Sequence, residues 1–303
     1  MRITLFYLVV IVIYITSTVG RASEAIQIKL MHNRSMVNVK IGELVIPDIL
    51  LDTGFAFDGV MIYNPDYNDS IVFPQAMEVK IPGAGSGEPA MAIMVDSAEF
   101  MLGNITLTNQ KIIILTDDTF KGFPSNGIIG YSVFGHYIAE FNYDNSTMML
   151  HDFGASPVDS SWTGIPIYFK HNKIPWIDIS VVIDQEDSIL LSTYIDFAAS
   201  DVIELLEKEQ MKFNLPAEMK DEYLGRGLSG DIYGKSGRIA KLIIGPYELT
   251  DVTASIAPAQ VRSKQKNADA IIGSGSLRRF NLIFDYHNKQ LYLKPNSQFH
   301  DPF

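Results

Sequence analysis

Two short stretches decide how this chain is read. Leu50-Leu51-Asp52-Thr53-Gly54 returns 144 positions later as Tyr194-Ile195-Asp196-Phe197-Ala198. In each, an apolar run of strand character reaches an aspartate and then turns. Gly54 suits that turn because it has no Cβ to obstruct a close backbone approach. Three further segments recur at almost the same offset. Leu102-Gly103-Asn104-Ile105-Thr106-Leu107 matches Ile244-Gly245-Pro246-Tyr247-Glu248-Leu249. Asn126-Gly127-Ile128-Ile129-Gly130 matches Asp269-Ala270-Ile271-Ile272-Gly273, and Phe141-Asn142-Tyr143-Asp144 matches Phe284-Asp285-Tyr286-His287. A period this long lies far above that of solenoid repeats and marks a duplicated domain. Gly154-Ala155-Ser156-Pro157 lacks a strand pattern and makes the joint, which predicts two halves, 23–157 and 158–303.

Between these landmarks the chain alternates short β-branched runs with Gly, Asn, Asp and Pro. Strands are expected over 37–41, 44–51, 91–100, 105–115, 177–183, 188–195, 239–244 and 281–293. Helical patterns are few. The strongest covers 202–210, with Asp201 as its N-cap and Glu204, Glu207 and Lys208 around an apolar stripe; 131–137 and 264–270 are weaker. The expected class is mainly β with few short helices.

Composition narrows the function. The chain has 303 residues, 47% of them apolar and 19% charged, which is the make-up of a packed protein. A net charge of −11 argues against nucleic acid, whose phosphates need a surplus of Lys and Arg. With no cysteine, disulfides, thiolate metal sites and cysteine nucleophiles are excluded. The six histidines show no ligand spacing, so neither a metal nor a cofactor is expected. At the N-terminus, Arg2 precedes an apolar run from Ile3 to Ile15 and then small residues through Ala22. This reads as a secretory signal peptide over 1–22 and predicts an exported protein, with membrane association only if the segment stays uncleaved as an anchor.

One aspartate from each copy of a duplicated unit suggests a pair facing one another across the two-fold axis. Two carboxyls at hydrogen-bonding distance cannot both ionise cheaply and hold one proton between them. Such a pair has a base that can draw a proton from water beside an acid that can hydrogen-bond the carbonyl under attack. It needs no metal and no covalent intermediate.

Over roughly residues 27–295 the chain resembles the two-lobed pepsin/retropepsin-type aspartic proteases, in the style of bacterial tandem-lobe members. The resemblance rests on Leu51-Asp52-Thr53-Gly54, on Asp196, and on Ile128-Ile129-Gly130 and Ile271-Ile272-Gly273, which follow the aspartates by 78 and 77 residues. It implies two homologous lobes resembling six-stranded barrels, a catalytic dyad of Asp52 and Asp196, and a monomer that hydrolyses peptide or protein substrates. Gly130 and Gly273 would end the strands that cross behind each aspartate loop. A glycine-rich flap is also implied, with candidates at Pro82-Gly83-Ala84-Gly85-Ser86-Gly87 and at Gly225-Arg226-Gly227-Leu228-Ser229-Gly230.

The second copy departs from the family's Asp-Thr/Ser-Gly at Phe197 and Ala198. The Thr of each loop ordinarily bonds across to the other lobe; Thr53 can do so, whereas Phe197 has no hydroxyl. On that reading Phe197→Thr should maintain or raise activity, and Ala198 strains the turn only if its φ is positive. The departures also motivate an alternative, a pseudoprotease that binds peptides or a partner in the same cleft without cutting. Among the remaining residues, Arg278-Arg279 is expected at the surface as a solvated pair. Gly273-Ser274-Gly275-Ser276 is expected as a turn, since it lacks the Lys-Ser/Thr of a phosphate loop.

Overall fold

The computed structural model describes residues 22–71, 73, 75–81, 88–170, 173–184, 187–208, 213–216, 218–227, 230–262 and 267–303. It is mainly β, built from three sheets with two four-residue helices, Tyr131–Phe134 and Ser274–Leu277. None of the described helices is long and apolar enough to cross a membrane. Residues 1–21 of the expected signal peptide lie outside the described residues.

The duplication is visible strand by strand. In the first half the sheet order is Lys29–Met31, Arg34–Ile41, Leu44–Leu51, Gly127–Ile129, Gly59–Ile62, Ile105–Leu115, Ala90–Leu102, Met77–Ile81. In the second it is Tyr168–Phe169, Pro175–Val182, Ile189–Asp196, Ala270–Gly273, Ile203–Leu205, Tyr247–Ile256, Gly230–Ile244, Lys220–Gly227. Position for position the two orders are the same. Even the extra pairing repeats, the second strand of each list bonding to the seventh. The two-residue loops Gly103-Asn104 and Gly245-Pro246 close equivalent hairpins, with φ of +59° and +55° at their glycines. Glycine at the first loop position accommodates that backbone without a steric cost.

A third sheet joins the halves. Its order is Ile26–Gln27, Thr147–His151, Ile138–Asn142, Phe280–Asp285, Gln290–Pro295, Thr163–Pro166, with Phe141 opposite Leu282 at the central seam. The seam brings Phe134, Phe141, Phe197 and Phe284 into one buried cluster with ring centroids 5.0–6.1 Å apart. Each such ring contributes about 1.5–3 kcal/mol by leaving water.

Four expectations need correction. Residues 202–210 do not open a helix: Ile203–Leu205 is a strand, antiparallel to Ala270–Gly273 and parallel to Tyr247–Ile256, with all three residues buried. Tertiary pairing overrides the local propensity here, and the buried Glu204 is met by Arg262 rather than by water. The expected strand 281–293 is two strands, Phe280–Asp285 and Gln290–Pro295, because the chain reverses through a turn with Lys289 at φ +54°. Arg279 is 1% exposed, not solvated. Its guanidinium donates to the carbonyls of Gln298, Asp301 and Pro302 and lies 3.6 Å from the Phe303 ring centroid, fastening the C-terminus. The segment 274–277 forms the second short helix rather than a plain turn.

Candidate active site

Each aspartate sits where a strand ends against its crossing strand. Leu51 pairs in parallel with Ile129, and the Asp52 amide donates to the Ile129 carbonyl at 2.9 Å. In the second half Asp196 itself is in register with Gly273. The crossing strands need glycine at their ends. A Cβ on Gly130 would stand 2.2 Å from the Asp52 carbonyl oxygen and 2.3 Å from that of Phe55. On Gly273 it would meet the Asp201 carbonyl oxygen at 2.3 Å. Neither approach is open to a side chain, which accounts for the apolar-apolar-Gly spacing in both copies.

Backbone N–H groups hold each carboxylate. The Gly54 amide donates to Asp52 Oδ1 at 2.6 Å, and the amides of Ala198 and Ala199 donate to Asp196 Oδ1 at 3.1 and 3.0 Å. Ala198 is absent from the residues with positive φ, so this turn carries no strain from its side chain. Thr53, 3% exposed, crosses to the other half: its hydroxyl donates to the Ile195 carbonyl at 2.7 Å and accepts from the Phe197 amide at 3.0 Å. No reciprocal bond comes from Phe197, as its lack of a hydroxyl requires. Its ring instead fills the cluster at the seam and is fully buried. That changes the expected effect of Phe197→Thr, since the substitution would empty the space the ring occupies.

Asp52 and Asp196 lie together on a cleft of about 640 Å³ lined by both halves. Both residues are half-buried: packed by protein around the carboxyl, yet facing the cavity. Burial raises the proton affinity of both. At Asp52 the charge of Asp196 adds to that effect, and the Gly54 and Phe55 amides oppose it. At Asp196 the opposing influences include two cations, Arg262 and Arg34, with the amides of Ala199 and Ala198. The pair is therefore biased to hold a proton, and the two cations oppose protonation on the Asp196 side.

Residues that the sequence reading did not assign to the site complete the cleft, Asp201 and Glu204 having been read there as parts of a helix. Arg262 forms a two-point ion pair with Glu204, which is 2% exposed. Asp201 is pushed up to about 7, first by burial and then by the neighbouring Glu204 charge. Apolar walls come from Met61, Phe120 and Phe123 on one side and from Ile174, Trp176 and Ile232 on the other. The only sequence signal for these was position, since Asp201 and Glu204 follow Asp196 closely.

The second flap candidate does reach the cleft. The hairpin of Lys220–Gly227 and Gly230–Ile244 brings Gly225 and Gly227 to its lining, while Gly230 lies just beyond. Gly225 and Gly230 have φ of +142° and +112°. Arg226, held by Asp231, donates to the Thr119 carbonyl of the first half at 3.0 Å, so the hairpin bridges the cleft. The first candidate, with Gly83, Gly85 and Gly87, lies outside the described residues, although Ile81 at its base lines the cleft. Among the described residues no group of three or more His, Asp or Glu is arranged to hold a metal ion. In comparisons with known proteins, no family model and no curated protein matches the chain.

Proposed function

We propose that this protein is an aspartic endopeptidase of the two-lobed pepsin/retropepsin arrangement, acting on an extended peptide held between the halves. The observation that carries the reading is the pairing of Asp52 and Asp196, which come from equivalent turns of a duplicated unit and share one cleft. The matching strand orders and the two glycine-ended crossing strands support the fold reading.

In this mechanism the ionised Asp196 takes a proton from a water lying between the carboxyls. The neutral Asp52 hydrogen-bonds the scissile carbonyl and stabilises the negative charge that develops on its oxygen. The proton gained by Asp196 then passes to the departing amine as the C–N bond breaks. Thr53 acts indirectly, fixing the second loop against the first so that the carboxyls stay in register. The bridging hairpin would exclude water and align the peptide backbone against its strand edge.

The test is incubation of the purified chain with a mixed peptide pool between pH 3 and 7. Cleavage is expected, with loss of essentially all turnover in Asp52→Asn. Undiminished turnover by that variant removes the dyad from the chemistry. Peptide binding with no cleavage at any pH would leave a binding module in the same cleft.

A further inference from the structure

Among the described residues four cations line the cleft, and they are not equivalent. Arg226 is paired with Asp231, and Arg262 with Glu204. Lys170 donates to Ser192 Oγ at 2.6 Å and lies 4.0 Å from the Trp176 ring centroid. Arg34 has neither arrangement. Among the described residues its buried Nε has no hydrogen-bond partner, and no carboxylate lies within ion-pair distance of its guanidinium. Its charge lies 5.5 Å from the Phe123 ring centroid and feels Asp201 and Asp196 only at longer range, through space.

Arg34 is nevertheless held in place. It opens the strand Arg34–Ile41 directly after a turn whose residues, His32 and Asn33, have φ of +49° and +67°. The Asn33 side chain is clamped to the second half, donating to the Ser200 carbonyl at 2.9 Å and accepting from Arg278 Nε at 2.7 Å. A cation is thus fixed at the cleft wall with its buried Nε–H unmet. Below neutrality the cleft's acids offset its cations only in part: the dyad holds one proton and keeps a single negative charge, and Asp201 is pushed up to about 7 by burial. In a chain of net charge −11, the cleft is locally short of negative charge.

A partly desolvated guanidinium with a free Nε–H binds a carboxylate best, because the planar fork meets both oxygens. A peptide carbonyl could satisfy one donor but would leave the charge unpaired. We propose that Arg34 forms an acid-accepting subsite, so that the peptides this cleft takes carry a glutamate or aspartate side chain close to the position facing the dyad. The proposal rests on the cleft being a peptide site, and its test separates the two.

Peptide pairs that differ only by Glu or Gln at one position, with apolar neighbours, are scanned across the sites flanking the cleaved bond at pH 6. The full chain should favour Glu at one position by about tenfold or more, the discrimination of a charge-assisted hydrogen bond. Arg34→Gln should bring the Glu/Gln ratio of kcat/KM near one, and Arg34→Glu should favour Lys at the same position. Arg34→Lys keeps the charge without the fork and should show an intermediate ratio, which serves if Arg34→Gln does not fold. The same pairs are measured by fluorescence polarisation on Asp52→Asn. Glu preference in binding there, with no cleavage by the unaltered chain, sustains the subsite and overturns the hydrolase. A ratio near one at every position, or a preference that survives Arg34→Gln, overturns the subsite.

Discussion

Thr53→Val tests the cross-half bond that holds the two aspartate loops together. The side chains are nearly equal in volume, so the change removes a hydroxyl and little else. That hydroxyl serves two main-chain groups at once, the Ile195 carbonyl at 2.7 Å and the Phe197 amide at 3.0 Å. Thr53 is 3% exposed and Phe197 is fully buried, so water cannot readily replace the lost partner. Leaving each group unsatisfied costs about 1–3 kcal/mol, which puts the variant roughly 2–6 kcal/mol below the parent protein. The assay is urea unfolding, with an unchanged dependence on denaturant showing that the native and unfolded states are otherwise preserved. In parallel, kcat should fall on the order of tenfold to a hundredfold, since misplacing reacting groups by about an ångström has that effect. Thr53→Ser retains the hydroxyl and should recover most of both losses. A Thr53→Val protein within about 0.5 kcal/mol of the parent, at full kcat, would refute the reasoning.

Three other outcomes follow from the geometry. Phe197→Thr should destabilise the protein by about 3–5 kcal/mol, as large-to-small changes in packed cores do, despite supplying the missing hydroxyl; an unchanged thermal midpoint would contradict the packing. Gly130→Ala should cost about 3 kcal/mol or more by driving a Cβ into two backbone carbonyls, and calorimetry showing a normal transition would contradict the close approach. Asp201→Asn concerns pH. The folded-state value of about 7 exceeds the ordinary 3.8, so the native state holds the proton more tightly and Asp201's contribution to stability declines as pH rises between those values. Asn should therefore have little effect at pH 3 and stabilise by up to about 4 kcal/mol at pH 8, from roughly three pKa units at 1.36 kcal/mol each. Scanning calorimetry across that range checks it, and a variant less stable at pH 8 than at pH 3, relative to the parent, would show Asp201 ionised and paired.

Much of the architecture was legible in the sequence because the chain states it twice. Leu44–Leu51 and Ile105–Leu115 were readable as written, each being an apolar, β-branched run closed by turn residues. Ile203–Leu205 was not, since Glu204 inside an apolar stripe looks like an amphipathic helix until a distant Arg262 neutralises it. The repeat itself held the remedy: Gly59–Ile62 occupies the equivalent place, 144 residues earlier, as a strand. Arg279 was misread for a similar reason, because the carbonyls that solvate it belong to a C-terminal segment with no pattern of its own.

For the site, the sequence by itself determined that two aspartates stand at repeat-equivalent strand ends, with glycines that let the chain cross behind them. Tertiary structure alone decided how those groups differ. Arg34, Arg262 and Asp201 act on the dyad through space, and electrostatic influence falls with distance in the fold rather than along the chain. The role of Phe197 was likewise hidden, since the loss of a hydroxyl is readable from one residue, whereas the space its ring fills is defined by Phe134, Phe141 and Phe284, which meet it only when the sheets close.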